Sequence, residues 1–203
     1  MKTSRNVVSH QSKKIESHKY NLSTLIYKQQ MDTPTFKCVL VGDGCVGKST
    51  FVQKHLTGVF QQFYEPTLGV EVHPLVFKTN KGQIRFNIWD TAGQDRFGGL
   101  REGYFVAADC AIIMFDLTDR STYNHLEDRY RDLIRVCDRM PVVLVGTKAD
   151  IANKDIRPSE INFHRKYEIK YYEVSSKSNF QFEKPFVSLM RDLMGNQTLT
   201  LVN

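Results

Sequence analysis

The residues best equipped for chemistry lie in one eight-residue stretch. Gly42-Asp43-Gly44-Cys45-Val46-Gly47-Lys48-Ser49 fits the spacing G-x-x-x-x-G-K-[ST] at every fixed position. In such a turn consecutive backbone N–H groups point inward and hold phosphate oxygens. The lysine brings a point charge to the β- and γ-phosphates, and the hydroxyl after it can ligate Mg²⁺. Asp43, Gly44, Cys45, Val46, Gly47, Lys48, Ser49 and Thr50 are thus the candidate phosphate-binding residues.

Three more strings carry chemistry that fits a bound nucleotide. Asp90-Thr91-Ala92-Gly93-Gln94 supplies a carboxylate able to hold Mg²⁺ through water. It also supplies a glycine whose N–H can bond a γ-phosphate, and an amide able to orient an attacking water. Thr147-Lys148-Ala149-Asp150 offers a carboxylate that can accept both N1–H and N2–H of guanine. Adenine presents an acceptor at N1 and no N2 amine, so Asp150 discriminates against it. The aliphatic stems of Lys148 and Lys177 can cover the base, and backbone N–H groups at Ser175-Ser176 can reach guanine O6. Upstream, Thr67 can complete a Mg²⁺ shell when a γ-phosphate is present, and Phe60, Gln61 and Tyr64 are candidate nucleotide contacts in the same region. Lys48, Thr67 and Gln94 form the candidate catalytic set; Ser49, Thr67 and Asp90 form the candidate metal set.

These loops need strands to hold them. FKCVLV (Phe36 to Val41) runs into the first loop, and TFVQKHL (Thr50 to Leu56) continues from it as a helix. CAIIMFDL (Cys110 to Leu117) and PVVLVG (Pro141 to Gly146) are continuous apolar runs, as expected of strands buried on both faces. VEVHPLVF and QIRFNIW flank Asn80-Lys81-Gly82, a hairpin signal, and YYEVSS reads as the last strand. Helical patterns cover Tyr123 to Val136 and Phe180 to Met194, with Asn179 as N-cap and Gly195 as stop for the second. The alternation predicts an α/β P-loop NTPase fold: a mixed, mostly parallel six-stranded sheet with helices on both faces and ligands at the carboxyl ends of the strands.

In this order the loops resemble those of small Ras-type GTPases over about residues 33–201. The wording between them is more specific. HLTGVF, TLGVEVHPLVF, DTAGQDRFGGLREGYF, RDLIRVC, NFHRK and SSKSNFQFEKPF resemble the Ran family, whose members give direction to nuclear import and export. The resemblance implies GTP/GDP binding with Mg²⁺ and slow GTP hydrolysis. It also implies importin- and exportin-type receptors, a guanine exchange factor, a GTPase-activating protein, and residence in nucleus and cytoplasm as a monomer. Arg96, Arg101, Arg165 and Lys166 are the expected partner contacts. Four departures stand out. Thr147 replaces the usual Asn, removing an amide that bonds both base and phosphate loop; Cys45 replaces a common Gly; Arg129-Tyr130 stands where Trp-His is usual; and the expected acidic tail beyond Asn203 is not in this sequence.

Composition narrows the field further. Of the formal charge of +6, residues 1–34 carry +4, which leaves the body near neutral and argues against a general nucleic-acid surface. Residues 1–33 are expected to be a basic, disordered extension and 34–203 the GTPase domain. No membrane anchor is expected: Lys2 follows the initiator and the terminal residues lack cysteine. The four cysteines show no C-x-x-C spacing and read as reduced thiols. A phosphotransferase would need an acceptor site and an arginine-rich lid, a binding-only module would not need Gln94 and Thr67, and a vesicle-traffic GTPase usually carries a lipid site. If Gln94 orients the water, Gln94→Leu should lower stimulated single-turnover GTP hydrolysis by about a hundredfold while leaving GDP affinity unchanged; hydrolysis at the parental rate refutes that role.

Overall fold

The structure, a computed structural model, describes residues 33–61, 66–93 and 98–202, without the side chains of 98–101. Tyr64, Gln94, Arg96, the side chain of Arg101 and the N-terminal extension lie outside the described residues. The compact unit begins at Thr35.

Six strands form one sheet in the order β2-β3-β1-β4-β5-β6. They are β1 (Thr35–Val41), β2 (Val70–Thr79), β3 (Gly82–Thr91), β4 (Cys110–Asp116), β5 (Val142–Thr147) and β6 (Lys170–Glu173). Only β2 runs antiparallel to its neighbour; β3, β1, β4, β5 and β6 are parallel. The sheet is therefore mixed and mostly parallel, as expected. The β2–β3 hairpin turns at Asn80-Lys81, closed by the Thr79–Gly82 pair. Thr79 Oγ1 donates to Gly82 O at 2.7 Å and accepts from Lys81 N at 3.1 Å, which satisfies the turn locally.

Side chains alternate across the sheet, and each face has its own core. Cys38, Leu40, Ile112, Met114, Val143 and Val145 point to one face. There they meet Phe51 and Val52 of α1 (Lys48–Thr57) and Phe186, Leu189 and Met190 of α6 (Lys184–Leu193). Val39, Val41, Ile113, Phe115 and Leu144 point to the other. They are covered by Phe105 of α2 (Gly98–Phe105), Leu126 and Leu133 of α4 (Leu126–Val136) and Phe163 of α5 (Phe163–Lys166). Every residue of β4 is buried, which explains its unbroken apolar run. Among the described residues no helix is long and apolar enough to cross a membrane.

Two helix boundaries differ from the sequence expectation. The pattern expected to start at Tyr123 begins earlier, as α3 (Arg120–Asn124), where Asp119 Oδ1 accepts from Ser121 N at 3.0 Å as an N-cap. It then pauses at His125 before α4. The last helix starts at Lys184, not Phe180, and Asn179 is not its cap. Asn179 and Gln181 adopt positive φ, which is incompatible with a first helical turn, whereas Pro185 suits one. Gly195, at φ 59, ends the helix as expected.

On the α1/α6 face, His55 sits among Phe51, Phe77, Phe182 and Phe186, stacked 3.9 Å from the Phe182 ring. Its Nδ1 lies 2.9 Å from Phe51 O, and its Nε2 is buried without a hydrogen-bond partner. The ring is thus held neutral, with Nδ1–H donating, and burial pushes its pKa down to about 4. Below the ordinary histidine pKa the unfolded chain takes up a proton that the folded one refuses, so this group's contribution is lost as pH falls. Between pH 7.5 and pH 5 it should lower stability by about 2 kcal/mol. Urea denaturation of parent and His55→Phe at both pH values measures this; the variant should lose that share of the acid sensitivity.

Candidate functional site

The carboxyl ends of β1, β3, β5 and β6 lead into the four loops singled out by sequence. The phosphate loop leaves β1 at Gly42, whose φ is 153 and where a Cβ would overlap the Met114 carbonyl oxygen. Cys45 is exposed at φ 62, while Val46 is fully buried and anchors the turn. Lys48 opens α1 with its side chain folded back: Nζ donates to Gly42 O at 3.0 Å and to Asp43 O at 2.7 Å. It is only 5 % exposed, so its charge is directed into the turn instead of into solvent.

The candidate metal ligands converge. Ser49 Oγ and Thr67 Oγ1 lie 2.6 Å apart, although 18 residues separate them in sequence. Asp90, at the end of β3, is buried, and both its carboxylate oxygens lack a properly formed hydrogen bond to any described residue. Burial raises its pKa; the Ser49 hydroxyl and the Lys48 charge oppose that rise. A buried carboxylate near the Ser49 hydroxyl, which itself meets that of Thr67, supplies hard oxygen donors, which fits Mg²⁺ with waters and phosphate completing the shell.

The next loop closes onto the first. Gly93 approaches Asp43 and Gly44 so closely that a Cβ would overlap their backbone atoms. Ala92 N donates to Gly69 O at 2.9 Å, which ties this loop to the segment containing Thr67.

The base-side loops are joined to each other and to the phosphate loop. Asp150 Oδ1 accepts from Ser175 Oγ at 2.6 Å, and Ala149 N donates to Val174 O at 3.1 Å. The bond from Ser175 orients the Asp150 carboxylate; Ser178 N in turn donates to Ser175 Oγ at 3.0 Å. Lys148, at φ 59, pairs with the buried Asp116, whose other oxygen accepts from Thr118 N at 2.8 Å and Thr118 Oγ1 at 2.7 Å. That pairing holds the lysine stem in one direction. Ser176 is half-buried and Lys177 exposed. Phe60 and Gln61 lie past the end of α1, and among the described residues neither is hydrogen-bonded to the other loops.

Thr147 shows what the Asn-to-Thr departure keeps. The amide is gone, but the hydroxyl that Thr retains lies 2.7 Å from Val46 O and 3.0 Å from Phe115 O. One hydroxyl proton serves two carbonyls, and the bridge between β5 and the phosphate loop is kept.

Arg129, noted in the sequence only as a departure from the usual Trp-His, has a contact that sequence reasoning missed. It is buried, and its guanidinium grips Asp43: Nε donates to Oδ1 at 2.8 Å, and a terminal nitrogen lies 2.7 Å from the same oxygen. His125 Nδ1 lies 2.6 Å from Asp43 Oδ2. The Arg129 side chain points into the fold, toward the phosphate loop. The signal was present in the spacing Leu126, Arg129, Leu133, which sets an arginine on the apolar stripe of a helix.

A sheet of this order, with a phosphate loop between β1 and a helix and three more loops at the same edge, defines a P-loop nucleoside triphosphatase. The Ras family model matches residues 37–195, well over half of the chain. The protein belongs to the Ras family and is a small GTPase.

Thr147→Val keeps shape and removes the bridging hydroxyl, leaving the Val46 carbonyl unpaired in the core. Stability should fall by about 1–3 kcal/mol, and release of a fluorescent GDP should quicken by about tenfold. Stopped-flow release together with urea denaturation reads both.

Proposed function

We propose that this GTPase directs traffic between nucleus and cytoplasm, its GTP form engaging importin- and exportin-type receptors, with an exchange factor and an activating protein resetting it. One observation carries the reading: the segment TLGVEVHPLVF (Thr67 to Phe77). It begins at the hydroxyl paired with Ser49 and continues into edge strand β2. Along it Leu68 is 88 % exposed, and Val72 and Val76 are also exposed. Exposed apolar side chains next to a nucleotide-linked residue are what a receptor sensing the nucleotide needs.

In this reading the phosphate loop and Lys48 hold the phosphates. Ser49, Thr67 and, through water, Asp90 would hold Mg²⁺, which would supply charge neutralisation at the phosphates. Gly93 N–H meets the γ-phosphate and Gln94 orients the water. Asp150 reads guanine while Ser175, Ser176, Lys148 and Lys177 surround it. Loss of the γ-phosphate frees Thr67 and Gly93 together, and receptors sense the change.

Arg165 and Lys166 are a secondary contact, and here the structure alters the expectation. Lys166 Nζ pairs with Glu127 Oε1 at 2.6 Å and lies over the Tyr167 ring, so its charge is partly answered within the chain. Arg165 is exposed and makes no ion pair among the described residues. Replacing both with Ala should slow association of the GTP-loaded Gln94→Leu form with an importin-type receptor at low salt. It should also flatten the salt dependence and leave GDP affinity unchanged. Surface-plasmon kinetics at two ionic strengths provides the measurement. No capture of any importin- or exportin-type receptor by the GTP-loaded form would overturn the transport assignment.

A further inference from the structure

The phosphate loop contains an acid. Asp43 occupies the second position of the turn, and its carbonyl is one of the two that hold Lys48 Nζ. A carboxylate so near the phosphate seat opposes the binding of a polyanion, and with its side chain 14 % exposed, water screens it weakly. The side chain turns away from the seat and meets two basic groups of α4 and its N-cap: Arg129 at Oδ1 and His125 at Oδ2. Arg129 is itself 9 % exposed at its side chain, whereas His125 is 53 % exposed, so the arginine is the partner that solvent cannot replace. Asp43 and Arg129 lie 86 residues apart, so only the folded β1 and α4 bring them together.

We infer that Arg129 is a positioning residue for nucleotide retention: it neutralises Asp43 so that the phosphate loop presents a net attractive field to the β- and γ-phosphates. The inference rests on the guanine nucleotide site and not on the transport role. It differs from a purely mechanical clamp in a way that can be measured. A clamp is broken from either end with the same result. Charge compensation is not symmetric: removing Arg129 leaves Asp43 facing only the half-exposed His125 beside the phosphates, whereas removing the acid takes a negative charge away from them.

The experiment measures release of fluorescent GDP and of a fluorescent non-hydrolysable GTP analogue from the Mg²⁺-loaded full chain. It compares Arg129→Gln, Asp43→Asn, the double variant and Arg129→Lys. Arg129→Gln should release GDP about tenfold faster, and the GTP analogue faster still, because the γ-phosphate adds charge. Asp43→Asn should release more slowly than the parent, the double variant more slowly than Arg129→Gln, and Arg129→Lys should stay within about threefold of the parent. Equal acceleration in Arg129→Gln and Asp43→Asn, with no rescue in the double variant, overturns the proposal in favour of a mechanical tie. Faster release from Asp43→Asn alone overturns it even if Arg129→Gln does not fold. Failure of parental protein to bind either nucleotide would strike the nucleotide site itself, a different outcome.

Discussion

Parallel pairing of β1 with both β3 and β4 is the constraint on which the site depends. Parallel strands end at the same edge, so loops distant in sequence are brought to one rim. The phosphate loop after β1, the glycine loop after β3 and the Thr147–Asp150 loop after β5 share that rim because their strands run parallel. The two cores that clamp the sheet from either side protect the register, since a one-residue slip would exchange the side chains of the two faces.

Cross-links then convert adjacency into geometry. Thr147 fastens the loop after β5 to the phosphate loop, Ser175 fastens Asp150, and Asp116 fastens Lys148. Each joins groups at least 25 residues apart, so each is long-range in origin and short-range in effect. The charged groups follow one logic: Lys48 is enclosed by carbonyls, Asp90 is buried near the Ser49 hydroxyl, and Asp43 is matched by Arg129. Buried charge is costly unless it is matched by a partner, and this site concentrates it where phosphate and metal chemistry need it.

The sequence disclosed much of this because the relevant signals were local. Gly42 to Ser49 needs only its own spacing, and the apolar runs of β4 and β5 need only their length. The helix starts at Lys184 instead of Phe180 because Asn179 and Gln181 adopt positive φ, a backbone state that composition does not show. Thr147 was read by comparison with an amide, while its actual partner, the Val46 carbonyl, lies 101 residues away. Lys166 looked like free surface charge because Glu127 approaches it from another helix. Arg129 was legible in principle, since arginine on an apolar stripe demands a partner, but the identity of that partner required the fold.

The bond from Ala92 to Gly69 continues the antiparallel ladder one step past the last pair, Val70 with Thr91. It is the terminal rung, and rungs at the open end of a ladder open first. Because one side belongs to the segment after Thr67 and the other to the segment before Gln94, neither can depart without releasing the other. The rung therefore acts as a shared latch. A protein that pries either segment from its seat works against the same single amide hydrogen, and the Ala92 N–H becomes the point where the motion of both is registered.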